Sequence, residues 1–185
     1  MAQFAGCEEA LATKRGRVMD AVFGPAPRAM LGVAGLVMLG WERNSVLSPA
    51  IRLRGGADWA SQQISPDSPG IVKFRLTYGA AELCPIRIGI PVIAFLPCAY
   101  GAAGQLWAAG RQFPRDNFAS DPWYSIGGSL IALFRPHGPL ELQASMSVAY
   151  VPRREGFALT GPYQEIHIVS PVVWSPGLSI GVVFQ

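Results

Sequence analysis

The segment GPLELQASMSVAYV, residues 138–151, determines the fold class. Apolar side chains occupy every second position, and polar or small side chains occupy the positions between them. This period of two residues is the pattern of a β-strand with one apolar face. The apolar set is Leu140, Leu142, Ala144, Met146, Val148 and Tyr150, and the other set is Glu141, Gln143, Ser145, Ser147 and Ala149.

The same alternation recurs along most of the chain, most clearly in residues 50–60, 71–78, 123–134 and 178–184. We therefore predict an all-β, antiparallel up-and-down transmembrane β-barrel of about eight strands. Residues 15–185 form the predicted barrel domain, and residues 1–14 are expected to be disordered or to reflect a misassigned start. The predicted strands are 15–23, 29–42, 49–62, 70–87, 92–109, 122–135, 138–159 and 163–184, with bulges at Pro152 and Pro171.

Composition excludes several classes of protein. Of the 185 residues, 50% are hydrophobic and 15% are charged, which is not the composition of a disordered chain. The formal charge of +3 is dispersed, which argues against a nucleic-acid partner. The longest apolar run, residues 29–41, contains three glycines and is shorter than the roughly 20 residues of a spanning helix. No signal peptide is visible from Met1, so we expect the export signal to be missing from this sequence.

Four segments resemble small bacterial outer-membrane β-barrel proteins, and most of all an uncharacterised barrel family of myxobacterial type. They are ELCPIRI (82–88), FLPCAYGA (95–102), PWYSIGGSLIALFRPHGPLELQASMSVAYVPRREGFAL (122–159) and SPGLSIGVVF (175–184). The resemblance implies an outer-membrane location, a lipid environment and passage through the barrel-assembly machinery. The last strand is similar to the C-terminal signature that this machinery reads, with Phe184 as its aromatic residue, although Gln185 follows it.

The charges within the strands predict an ionic network inside the barrel. An eight-stranded barrel is only wide enough for side chains to fill it, and buried charges must be paired. We therefore expect a structural or surface-interaction role without bulk transport. The predicted interior set is Arg52, Arg54, Lys73 and Arg75 opposite Asp58, Glu141 and Gln143.

Cys84 and Cys98 flank a predicted turn centred on residue 91, so they lie opposite one another if the hairpin is regular. An oxidising periplasm favours a disulfide between them, and two free buried thiols are the alternative. Cys7 is then unpaired. The sequence contains no CxxC motif or Cys/His cluster, so we expect neither a metal nor another cofactor.

Two other functions are consistent with the same periodicity. A soluble, lipocalin-like barrel has the pattern turned inside out, with an apolar interior that binds a small hydrophobic ligand. An outer-membrane lipid-modifying enzyme would need a catalytic base, for which His167 near Ser170 is the best candidate and His137 another. No nucleophile motif accompanies these residues, so we expect no catalytic site. The sequence does not identify an external ligand or partner.

Overall fold

The computed structural model describes residues 10–42, 46–63, 71–90, 92–111, 118–136, 138–153, 156–159 and 164–184. Among these residues there is no helix with the length and apolarity needed to cross a membrane. The strands are β1 (Ala10–Val22), β2 (Met30–Glu42), β3 (Ala50–Gln63), β4 (Ile71–Cys84), β5 (Ile88–Gly89), β6 (Ile93–Arg111), β7 (Phe118–Phe134), β8 (Leu140–Tyr150), β9 (Gly156–Leu159), β10 (Gln164–Ile168) and β11 (Val172–Phe184).

Eight of these strands close into one antiparallel barrel. They pair in the order β1, β2, β3, β4, β6, β7, β8 and β11, and the short β5 pairs with β6. The ring closes because β1 also pairs with β11, with Thr13 opposite Phe184. A closed sheet leaves no backbone edge unpaired, as lipid requires. The predicted antiparallel barrel of about eight strands is confirmed.

Side chains alternate between the interior and the outer surface along each barrel strand. On β8, Leu140 and Leu142 are exposed on the outside, whereas Glu141 and Gln143 are buried inside. The apolar face of residues 138–151 therefore forms part of the outer surface.

The connections define two ends of the barrel. The terminal end carries the start of β1, the end of β11 and the connections 43–49, 85–92 and 135–139. The opposite end, called the loop end below, carries the connections 23–29, 64–70, 112–117 and 151–171. The longest of these, 151–171, contains the antiparallel hairpin β9–β10. The other connections at the two ends are similar in length, so 151–171 alone distinguishes the loop end.

Three predicted boundaries are wrong. β1 begins at Ala10, so residues 10–14 belong to the barrel and not to the N-terminal segment. Predicted strands 138–159 and 163–184 are not continuous, because β8 ends at Tyr150 and β11 begins at Val172. Pro152 and Pro171 lie in the connection between them, where a residue without an N–H breaks no ladder.

Candidate functional site: buried ion pairs and an apolar outer face

The register of the β3–β4 hairpin brings arginines and a glutamate together inside the barrel. Arg52 lies directly opposite Glu82 in this pairing. The Arg52 Nη1 atom is 3.0 Å from Glu82 Oε2, and the Arg54 Nη2 atom is 3.1 Å from Glu82 Oε1. Arg52 and Glu82 are 0% and 1% exposed, so water does not screen their attraction. The Glu82 carboxylate thus forms ion pairs with both Arg52 and Arg54.

Asp20 and Asp58 lie on either side of Gly32 in one row of paired residues. The glycine has no side chain, and the carboxylate of Asp58 occupies the space that a Cβ atom would need. Asp20 accepts a hydrogen bond from the Tyr78 hydroxyl, and its Oδ2 atom is 3.8 Å from Arg54 Nη1. The Asp20–Asp58 pair is thus joined to the arginine cluster through Arg54.

A separate cluster centres on Glu141. Its Oε2 atom is 2.8 Å from Lys14 Nζ and 3.0 Å from Arg135 Nη2. The Gln143 amide donates to Glu141 Oε1 at 2.8 Å, and the Ser179 hydroxyl donates to Gln143 Oε1 at 3.3 Å. Lys14 reaches Glu141 across β11, so this ion pair links β1 to β8.

Apolar side chains, among them Met30, Phe74, Leu76 and Ile131, are buried inside the barrel beside these ion pairs. A cavity among them measures about 10 Å³ and is lined by Asp20, Arg54, Asp58, Tyr78 and Tyr100, among others. That volume holds about one water molecule. The cavity beside these charges is therefore too small for a hydrophobic ligand, and the ion pairs argue against the lipocalin-like alternative.

The structure places five of the seven residues of the predicted network inside: Arg52, Arg54, Asp58, Glu141 and Gln143. The prediction was wrong for Lys73 and Arg75, which are exposed on the outer surface. The reason is parity, because Glu82 of β4 faces inward and the alternation continues without a bulge. Phe74 and Leu76 therefore face inward, and Lys73 and Arg75 face outward.

Sequence reasoning also missed Lys14, Asp20, Tyr78, Glu82 and Arg135. The inward position of Glu82 could have been predicted, because a regular β3–β4 hairpin places Glu82 directly opposite Arg52. Lys14 and Asp20 lie on β1, whose alternation is weak and whose first residues were assigned to the N-terminal segment.

The outer surface is mainly apolar. Its exposed residues include Leu53, Ile126, Leu130 and Ile180. A broad depression of about 1050 Å³ on this surface is lined by such residues, including Met19, Leu142 and Leu178. Aromatic side chains are exposed near both ends of the strands, as in the girdles of membrane barrels. Those near the loop end are Trp59, Phe118, Tyr124, Tyr150 and Trp174, and those near the terminal end are Trp41, Phe95, Phe134 and Phe184.

Cys84 and Cys98 form a disulfide, with their Cα atoms 4.1 Å apart. Both face inward at the terminal end, one step beyond the last pair of the β4–β6 ladder, Leu83 and Ala99. The bond therefore links the end of β4 to β6 and encloses the segment that contains β5.

Replacing both cysteines by serine is expected to lower the free energy of unfolding by about 2–3 kcal/mol. The disulfide closes a loop with a sequence separation of 14 residues, and its loss frees that loop in the unfolded chain. Urea titration of the protein in lipid vesicles measures the change, and reduction of the wild type should reproduce it. Alkylation of the denatured, unreduced protein should label Cys7 alone. Labelling of all three cysteines would contradict the disulfide.

The predicted catalytic candidates are not brought into a site by the described residues. Ser170 donates through its hydroxyl to the backbone oxygen of Val172 at 2.8 Å. His137, Cys7 and the side chain of His167 lie outside what the structure describes. Within the described ranges, no three acidic, histidine or cysteine side chains group as metal ligands would.

Solved structures share this architecture. A major outer membrane protein from Thermus thermophilus matches with 14% identity and a TM-score of 0.63, over 94% of this chain and 99% of that chain. The attachment invasion locus protein Ail of Yersinia pestis, solved with the heparin analogue sucrose octasulfate, matches with 15% identity and a TM-score of 0.55. That alignment covers 94% of this chain and 97% of Ail. No protein-family model and no curated protein matches the chain. The fold is that of small outer-membrane barrels.

Proposed function

We propose that this protein is an integral barrel of the bacterial outer membrane that anchors a surface for interaction outside the cell and transports nothing in bulk. One observation carries the proposal: the exposed surface is apolar, while ion pairs are buried in the interior. A soluble barrel places these faces the other way round. The mechanism is passive, because the ion pairs make the barrel rigid and leave its ends to contact other molecules.

The loop end is the surface that faces outward in this proposal. Outer-membrane barrels have short periplasmic turns and longer external loops, and the longest connection here, 151–171, lies at the loop end. Ail was solved with a heparin analogue, which supports an external partner for a barrel of this architecture. We propose a partner for the loop end without assigning its chemical class.

The proposal also includes the contacts made during assembly. Phe184 ends β11 as an exposed aromatic residue, which suits it to act as the C-terminal signal read by the barrel-assembly machinery. Membrane lipid then covers the apolar outer surface of the barrel. The four segments quoted from the sequence favour a family of myxobacterial type. No catalytic step is part of the proposal.

An unboiled denaturing gel and a solute-flux assay test this function together. The protein refolded into lipid vesicles is expected to migrate differently before and after boiling, because a lipid-inserted barrel resists detergent until heated. The same vesicles should not swell in an isotonic solution of a small sugar, since buried ion pairs and apolar side chains occupy the interior. A large-pore porin in parallel vesicles is the positive control for flux.

Two results would contradict the proposal. A protein that stays monomeric and soluble without detergent, with no heat-dependent shift, would overturn the membrane assignment. Sugar flux close to that of the porin control would overturn the filled interior and leave the membrane location intact.

A further inference from the structure

Charge is distributed very unevenly between the two faces of the barrel. Among strand residues with described side chains, the charged residues on the outer face are all cations: Arg15, Arg17, Lys73 and Arg75. The acidic side chains occupy inward-facing positions: Asp20, Asp58, Glu82, Asp121 and Glu141. In the described part of the chain, therefore, no strand carboxylate on the outer face neutralises these cations.

Lys73 and Arg75 differ from the other two in their surroundings. Arg75 lies in one row of paired residues between Trp59 of β3 and Trp107 of β6. Trp59 is exposed, and the ring of Trp107 packs against Phe118 with centroids 5.3 Å apart. Tryptophans at the ends of membrane strands mark the level of the lipid headgroups. The cationic pair therefore lies at headgroup level on the loop end.

The spacing of the two cations suits one phosphate group. They are two residues apart on the same face of β4, which places their backbones about 7 Å apart. Both side chains are long enough to meet over a single anion. A guanidinium binds phosphate through two parallel hydrogen bonds, and an ammonium adds a point charge. The tryptophans flank Arg75, whereas Lys73 lies two residues nearer the loop end, between Ser61 and Ala109.

We propose that Lys73 and Arg75, flanked by Trp59 and Trp107, bind the phosphorylated headgroup of an anionic membrane lipid. The inference rests on the proposed function, because the site faces lipid only if the barrel is inserted. Its position beside the membrane selects a lipid phosphate over free phosphate, which would approach from the aqueous phase.

Arg15 and Arg17 provide a matched control within the same protein. They are also two residues apart on one outward face, but they lie near the middle of β1. Their paired neighbours are Val37 and Val182 for Arg15, and Gly35 and Ile180 for Arg17. The double variant R15Q/R17Q removes the same charge as K73Q/R75Q from a place without flanking tryptophans.

Quenching of tryptophan fluorescence by brominated lipids tests the site, since two of its members are tryptophans. Wild type, K73Q/R75Q and R15Q/R17Q are each inserted into phosphatidylcholine vesicles that contain a minor fraction of brominated phosphatidic acid or brominated phosphatidylcholine. The wild type is expected to show preferential quenching by the anionic lipid. K73Q/R75Q should lose roughly 10- to 30-fold in relative affinity for that lipid, and R15Q/R17Q should keep most of it.

Other outcomes overturn the proposal. Preference retained in K73Q/R75Q means that these residues do not bind the lipid. Equal loss in both double variants means that net charge alone attracts it. Suppression of the preference by inorganic phosphate at constant ionic strength assigns the site to free phosphate. Heat-dependent mobility of each sample separates these results from a failure of the barrel to insert, which would instead overturn the proposed function.

Discussion

Replacing Gly32 by alanine is expected to prevent most of the protein from reaching the heat-resistant barrel. A Cβ atom on Gly32 would lie 1.6 Å from Asp58 Oδ1 and 2.6 Å from the backbone oxygen of Ala57. The carboxylate can move only by leaving its place beside Asp20, and the backbone of β3 can move only by breaking its pairing with β2. Overpacking alone costs about 1–3 kcal/mol, and displacement of a buried carboxylate adds to it.

The fraction of protein that shifts on the unboiled gel, together with the urea midpoint in vesicles, measures this effect. Gly35→Ala is the control on the same strand, because its Cβ would meet no atom within 4 Å. We expect that variant to stay within about 0.5 kcal/mol of the wild type. A normal yield and midpoint for G32A would show that Asp58 does not occupy the space above Gly32.

The second large effect is expected at Glu82. Changing it to glutamine leaves both Arg52 and Arg54 without their nearest carboxylate in a dry interior. Breaking a buried ion pair from one side costs about 3–5 kcal/mol, because the remaining charge stays buried. Arg52→Gln should cost less, since Glu82 would still pair with Arg54.

A double-mutant cycle separates this pairing from simple loss of packing. R52Q/E82Q should be less destabilised than the sum of the single variants, with a coupling of about 1–3 kcal/mol. Ser129→Ala is a suitable control, since this buried, inward-facing hydroxyl has no hydrogen-bond partner among the described residues. Strictly additive effects of R52Q and E82Q on the urea midpoint would refute the ion pair.

The fold could be predicted from the sequence because burial in a barrel repeats every two residues and antiparallel strands follow one another in order. The alternation in residues 138–151 needed no knowledge of its neighbours. The direction of the apolar face did not follow from this pattern, because a soluble barrel gives the same alternation with its faces exchanged. The strand ends near Pro152 and Pro171 were not predicted either, because proline occurs both in bulges and in connections.

The interior site was only partly predictable, for a different reason. Side chains alternate along a strand, so the direction of one side chain determines the directions of all the others. A buried charged residue can therefore show which set of alternate positions faces inward. On β4 that residue is Glu82, whose partner Arg52 lies on another strand. Without this pairing, Lys73 and Arg75 were assigned to the wrong face. The space above Gly32 could not be foreseen either, because it depends on the registers of β1, β2 and β3 together.

The pairing of β1 with β11 has a consequence for the order of events in biogenesis. It joins residue 13 to residue 184, so the closing contact spans nearly the whole chain. The remaining strand pairs of the ring join consecutive barrel strands, whereas the ring closes only when β1 and β11 meet. Until then β1 and β11 are open edges, and open edges invite aggregation. Closure is therefore the last and slowest pairing to be reached by the unassisted chain, since contacts of such long sequence separation form late. An assembly factor that shields these two edges would act on the stage at which this protein is most vulnerable.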